Sequence, residues 1–368
     1  MNKPKILFIM HMPPPVHGAA MVGKYIHDSQ LINDSFDGYY LKPSNTTSLD
    51  DINQFKLKKF TFLISFHFRL IKIYRKIKPD LCYFTASSRG FAFYRDFMTI
   101  FILKLLKAKI VVHFHNKGEP SFDNKRYNKF LFRRFFKNIH VIFLAEQLVA
   151  EFRPYINKQN IYICPNGIPE TVTQPMERDG THQPFNFFFL SNMMKDKGVW
   201  TLLEACAVLK NKGYTFQCRY VGQWYDITES AFTEKVKEFG LEDEVHAYGA
   251  KYGEEKESFF RSADAFVFPS FNEALSLVLI EAMEYSLPCI TTDVGGIPSI
   301  VEHGKSGFIV PPKNVEELIA AMVSLMEHPD KSTEMGLYGR QLFEEKFTLP
   351  VFEQNFTGIL SRIITGSN

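Results

Sequence analysis

Short apolar runs alternate with segments of helical period along the whole chain, the pattern of parallel sheets wrapped by helices. In the first part these runs fall at residues 5–10, 81–84, 110–115, 141–144 and 161–164, and each is a predicted strand. A polar, proline-containing stretch at 166–184 interrupts them. The pattern then restarts, with runs at 186–190, 216–221, 245–248, 265–268, 289–292 and 307–310. Helical periodicity covers 200–212, 229–239, 254–261, 277–285 and 315–326, and a last stretch, 349–364, has one apolar face. The predicted architecture is α/β: two Rossmann-like, doubly wound parallel-sheet domains, one over residues 1–168 and one over 185–345, with a C-terminal helix within 346–368. Such sheets bind ligands beyond the carboxyl ends of their strands. Site residues are therefore expected just after the runs, in a central cleft where two such domains face each other.

Composition supports this picture and adds to it. With 45% hydrophobic residues over 368 positions, the chain has enough apolar material for two cores of ordinary domain size. Cys82, Cys164, Cys206, Cys218 and Cys289 lie far apart with no C-x-x-C spacing, which indicates neither a disulfide framework nor a zinc site and fits a reducing cytoplasm. The apolar residues 6–10 are cut short by Pro13, Pro14 and Pro15, too early for a signal peptide, and no apolar run is long enough to span a bilayer.

Charge changes the picture more. Behind a net charge of +3, residues 1–170 hold 26 Lys and Arg against 12 Asp and Glu, while the remainder hold 17 against 28. Residues 56–78 carry eight cations and no acid, interleaved with Phe60, Phe62, Leu63, Phe66 and Phe68, and residues 125–137 read KRYNKFLFRRFFK. Both stretches suit interfacial helices facing anionic lipid, placing the protein peripherally on the inner face of the cell membrane. They equally suit core-facing helices with a solvated basic face. No RNP, helix-turn-helix or zinc-finger signature accompanies the charge, so nucleic acid is not an expected partner.

The candidate chemistry follows the strand at 265–268. There Pro269, Ser270, Phe271, Asn272 and Glu273 lead into a helix beginning near Leu275, and the unpaired N–H groups around Ala274, Leu275 and Ser276 would suit a phosphate. Within the helix Glu281 is flanked by Leu277, Val278, Leu279, Ile280, Ala282 and Met283. A carboxylate among such neighbours is costly unless paired, and the two adjacent hydroxyls of a ribose would pair it. The plainer reading makes Glu281 part of a narrow polar surface stripe with Glu284.

The stretch 269–301, PSFNEALSLVLIEAMEYSLPCITTDVGGIPSIV, resembles the donor-site segment of the family four retaining glycosyltransferases (glycosyl transferases group 1), with an E-x7-E pair at Glu273 and Glu281. The similarity runs through nearly the whole second half: the Pro165, Asn166, Gly167 turn, Lys197 and Gly198 before a helix, Tyr248 and Gly249, and residues 304–311 fall in order. It implies a GT-B fold and transfer of a hexose-type sugar, with retention, from a UDP- or GDP-linked donor. The acceptor implied is a glycan or lipid-linked molecule in envelope or capsular polysaccharide assembly, and no further cofactor is implied. By resemblance Glu281 holds the donor ribose, Glu273 contacts the transferred sugar and Lys197 meets the diphosphate. Ser191 and Asn192 stand where many relatives carry Gly-Arg. Asn192 donates hydrogen bonds but no charge, which leaves more of the leaving-group stabilisation to Lys197 and the helix N-terminus. Base contacts are expected near Ala250 and Lys251.

In the first domain PPPVHGAA resembles the family's acceptor-side loop, with Gly18 and Ala19 in place of a double glycine; on its own it reads as a turn. His115 matches the family's histidine near the transferred sugar, although His113 points the same way from the strand. Arg89 and Arg95 suit an anionic acceptor, or simply face solvent. By resemblance the C-terminal helix crosses back onto the first domain. No D-x-D motif or metal-ligand spacing occurs, so no catalytic metal is expected. Two other readings stay open: a nucleotide-sugar epimerase of the same architecture, and a non-catalytic nucleotide-sugar-binding partner.

Overall fold

The computed structural model describes residues 3–14, 18–43, 57–88, 90–118, 126–176 and 184–366. It divides into two units, Met1–Gly167 with Leu349–Asn368, and Ile168–Thr348. In chain order the first unit contains β1 (Lys5–Ile9), α1 (Gly18–Asp28), α2 (Gln30–Ser35), β2 (Asp37–Leu41), α3 (Leu57–Ile77), β3 (Leu81–Ala86), α4 (Gly90–Leu105), β4 (Ile110–Phe114), α5 (Arg126–Phe136), β5 (His140–Phe143) and β6 (Ile161–Ile163). The second contains β7 (Phe185–Leu190), α6 (Val199–Asn211), β8 (Phe216–Val221), α7 (Glu229–Glu238), β9 (Val245–Ala247), α8 (Gly253–Arg261), β10 (Ala265–Phe268), α9 (Leu277–Glu284), β11 (Cys289–Thr292), β12 (Gly307–Val310), α10 (Val315–Glu327) and α11 (Pro329–Lys346). The chain then returns to the first unit as α12 (Leu349–Thr365).

Each unit is built on a six-stranded parallel sheet, ordered β2-β1-β3-β4-β5-β6 in the first and β12-β11-β10-β7-β8-β9 in the second. The doubly wound α/β class predicted from the apolar runs is thus present twice. The strands β3, β4, β10 and β11 are buried along their whole length, as expected of central strands covered by helices on both faces. Edge strand β2 carries no prediction from periodicity. Its sequence, DGYYL, is half-buried and polar at its start, so it lacks the apolar run that marks the others.

In the first unit α12 supplies core rather than covering it. Phe352, Phe356, Ile359, Leu360 and Ile363 are buried in one cluster with Ile6, Phe8, Leu81 and Tyr83. Burying each such side chain is worth about 1.5–3 kcal/mol, so five of them make this helix part of the unit's stability. Lys109 Nζ donates to the carbonyls of Ile363 and Ile364, both at 3.0 Å, which places a cation on the helix's negative end.

In the second unit the plainer reading of Glu284 as a surface residue is corrected. Its side chain is buried and accepts from the Thr171 hydroxyl at 2.8 Å, the Val172 N–H at 2.9 Å and the Thr171 N–H. Arg340, 1% exposed, donates to the Glu284 carbonyl at 3.0 Å and pairs with Glu344 and Glu170. Thr171 and Val172 thereby satisfy a carboxylate that helical periodicity alone would send to solvent. All five cysteines are free and buried. Among the described residues no helix is long and apolar enough to cross a membrane.

Candidate functional site

In the second sheet β7 lies between β8 and β10, so the chain order reverses at the β7–β10 pair, where ligands of open α/β sheets bind. Both candidate segments leave the sheet here. After β7 the backbone passes Ser191 and Asn192, pairs with the β8 loop through Met193 and Trp224, and makes a 3-10 turn over Lys195–Lys197. After β10 it runs through Pro269 to Ser276. The two loops are bonded together: the Phe271 N–H and the Ser270 hydroxyl both donate to the Asp196 carbonyl, at 2.7 and 3.2 Å.

That contact brings Lys197 and Glu273 together. Lys197 Nζ donates to Glu273 Oε1, the two side chains being 21% and 13% exposed, and the ammonium also lies 5.9 Å from the centre of the Phe268 ring. Behind Glu273 the loop is packed backbone on backbone. A Cβ on Gly198 would sit 2.1 Å from the Pro269 carbonyl oxygen, and one on Gly295 would sit 1.8 Å from that of Glu273. Gly295 also has φ +58°, a left-handed conformation that favours glycine. The Gly296 N–H holds the Ala274 carbonyl at 2.7 Å. Leu275 and Ser276 are buried, and Ser276 occupies the cap position of α9 in an extended conformation with no side-chain cap bond. The first N–H groups of α9 are therefore not consumed by the cap side chain, which suits an anion.

One turn further, Glu281 sits between buried Ile280 and Ala282 and meets Lys256 of α8, Nζ to Oε2 at 3.0 Å. Burial pushes the Glu281 carboxyl above its ordinary range. Lys256 opposes this, and the Glu284 carboxylate adds to it. Lys256 is the residue that sequence reasoning missed. It lies in the acidic run Glu254, Glu255, Lys256, Glu257, where an isolated cation reads as an ordinary surface charge.

Asn192, Lys197, Glu273, Ala274, Leu275, Ser276 and Glu281 all belong to this second unit, whereas Gly18 and His115 belong to the first. Lys251, expected near the base, is paired with Glu255 at 3.1 Å. Gly18 opens α1, and residues 15–17 of its loop lie outside the described residues. His113 is fully buried and bonded to the Tyr83 hydroxyl at 2.8 Å, so its ring is engaged in the core; desolvation holds it neutral. His115 follows at the carboxyl end of β4, its ring 4.1 Å from that of His113. Arg95 is committed to the buried Asp96 at 2.7 Å, and Arg89 lies outside the described residues. Among the described residues no three His, Cys, Asp or Glu side chains converge to hold a metal ion.

Residues 176–342 match the family described as glycosyl transferases group 1. The chain is 29% identical over 192 residues to the amylovoran biosynthesis glycosyltransferase AmsK of Erwinia amylovora, covering 50% of this chain and 47% of that one. It is 26% identical over 179 residues to the capsular polysaccharide biosynthesis glycosyltransferase CapM of Staphylococcus aureus, covering 49% and 46%. The chain thus spans about half the length of the curated relatives it matches. Over 97% of its length it superposes on 99% of Anabaena Alr3699/HepE, solved in complex with UDP, with a TM-score of 0.75 at 15% identity. That likeness shows the fold, the GT-B class with two Rossmann-like domains.

Proposed function

We propose that the protein is a retaining, metal-independent glycosyltransferase that moves a hexose-type sugar from a UDP- or GDP-linked donor to a glycan or lipid-linked acceptor in envelope or capsular polysaccharide assembly. The observation that carries this reading is the pairing of Glu273 and Glu281, each with its own lysine, on either side of the open N-terminus of α9. The group 1 match and the relatives' part in exopolysaccharide and capsule synthesis support it, as does the UDP held by a protein of the same fold. Glu281 takes the ribose hydroxyls, the α9 N-terminus and Lys197 take the diphosphate, and Glu273 takes the sugar. The bond from the anomeric carbon to the phosphate oxygen breaks. The acceptor oxygen bonds to that carbon on the same face, and its proton passes to the departing phosphate oxygen. Negative charge grows on the diphosphate, where Lys197 is fixed in advance to meet it.

A thermal-shift screen of UDP, GDP and ADP tests the reading. A ligand that binds only the folded protein stabilises it by about 2.7 kcal/mol at a hundredfold excess over Kd. In a domain of this size that raises the midpoint by roughly 5–10 °C. No rise with any nucleoside diphosphate would sink the proposal.

The acceptor reading extends to a membrane. α4 packs against both α3 and α5, with His67 bonded to Thr99 at 3.1 Å and Tyr94 to Asn128 at 3.0 Å. These helices carry Ile64, Phe68, Phe91, Met98, Phe101, Leu105, Tyr127 and Phe130, eight of the thirteen exposed large hydrophobic residues among those described. Arg69, Lys72, Arg75, Lys129, Arg133 and Arg134 are exposed beside them. Lys56 and Lys125, at the start of the two basic stretches, lie outside the described residues. Exposed aromatic and aliphatic groups among cations match an anionic lipid surface, with α4 adding apolar contact that charge alone does not reveal. Vesicles containing about 30% phosphatidylglycerol should sediment the protein and release it as salt rises. Equal sedimentation with purely zwitterionic vesicles would remove the preference for anionic lipid, and no sedimentation with either would remove the membrane from this account.

A further inference from the structure

Lys256 is not needed to hold α8 in place, because Phe260 of that helix is buried against Phe188, Phe266 and Tyr285, with ring centroids 5.0, 6.0 and 5.0 Å away. Its ammonium nevertheless reaches Glu281 at 3.0 Å and engages only Oε2. The pair is partly exposed, 28% and 22%, and among the described residues no hydrogen bond engages Oε1. The charges acting on Glu281 are few. From α8 there is Lys256. From its own helix there is Glu284, whose carboxylate is bound by Thr171 and Val172 and whose carbonyl is bound by Arg340. Burial and Glu284 both favour the protonated form, and Lys256 alone opposes them.

We infer that Lys256 is a positioning residue for donor binding: it keeps Glu281 ionised and pins Oε2, leaving Oε1 to accept the hydroxyls of the nucleotide ribose. This rests on the proposed donor role of Glu281. A neutral carboxyl would offer fewer acceptor sites and present a proton of its own to the ribose. The consequence is a pH dependence of defined sign. Glu281 has a raised pKa, so affinity that depends on its ionised form is present above that pKa and lost as pH falls through it. Removing Lys256 raises the pKa further and moves the loss to higher pH.

Calorimetric titration of the full chain with UDP and GDP, from pH 6 to pH 8.5, provides the test. The wild type should bind one of them, losing affinity only as pH falls. Lys256→Met should bind more weakly than the wild type by a factor that grows as pH falls, up to about tenfold for each unit of pH, and should recover toward the alkaline end. Lys256→Arg should restore the wild-type profile. In a Glu281→Gln background, Lys256→Met should have no further pH-dependent effect. An equal loss for Lys256→Met at every pH would mean that the lysine touches the nucleotide itself, and tighter binding would mean that it competes with the ribose. Either result, or an unchanged profile, overturns the inference. Absence of binding by the wild type would instead refute the donor-site reading beneath it.

Discussion

Lys197→Ala should lower kcat by about 10²–10³-fold, followed as release of nucleoside diphosphate, with a much smaller change in KM. The asymmetry follows from where charge develops. In the proposed donor placement the ground-state diphosphate would be met by the α9 N-terminus, whereas the additional charge of bond breaking would have Lys197 as its fixed cation, because Asn192 supplies none. Lys197 is held in readiness by Glu273 and the Phe268 ring. Removing it also leaves the Glu273 carboxylate, 13% exposed, without its counter-charge. The double variant Lys197→Ala with Glu273→Gln separates these effects. It should recover thermal stability but not turnover. Equal kcat for Lys197→Ala and wild type would remove the lysine from the mechanism.

Gly295→Ala should destabilise the second unit by about 3 kcal/mol or more and abolish measurable nucleotide binding at ordinary concentrations. The control is Gly240→Ala. Its backbone is equally left-handed, with φ +61° against +58°, but a Cβ there meets nothing within 4 Å. Both variants bear the conformational cost, about 1 kcal/mol or a midpoint fall of roughly 2–4 °C. Only Gly295→Ala drives a methyl group into the Glu273 carbonyl and so displaces the loop leading into α9. If the two variants melted alike and bound nucleotide alike, the close approach would have no functional weight.

These residues also show how far the sequence could be read. Strands Phe216–Val221, Ala265–Phe268, Cys289–Thr292 and Gly307–Val310 coincide with their predicted runs; for Ala265–Phe268 and Cys289–Thr292 the reason is that central parallel strands are buried on both faces and stop where turn residues begin. Helix α11 was invisible to the same reasoning. Its sequence, PDKSTEMGLYGRQLFEEK, buries Arg340 alongside Met335, Leu342 and Phe343, so polarity does not mark its outward face. The E-x7-E spacing located Glu273 and Glu281, since that spacing is set locally by one loop and one helix. Their lysine partners differ in this respect. Lys197 stands in a motif of its own, whereas the contact between Lys256 and Glu281 joins α8 to α9 across 25 residues and exists only once both helices are packed. Glu284 was misplaced for a related reason: its partners, Thr171 and Val172, are 113 and 112 positions away.

The placement of α12 has a consequence for how the molecule is made. Residues 168–348 are continuous, so the second unit can close as soon as its own sequence has left the ribosome. The first unit cannot. Its strand β1 lays down Ile6 and Phe8, but the surface they bury against, Phe352, Phe356, Ile359, Leu360 and Ile363, is translated only after the whole of the second unit. From the translation of β1 until that of α12 the basic unit waits with an open apolar seam, which α12 then seals.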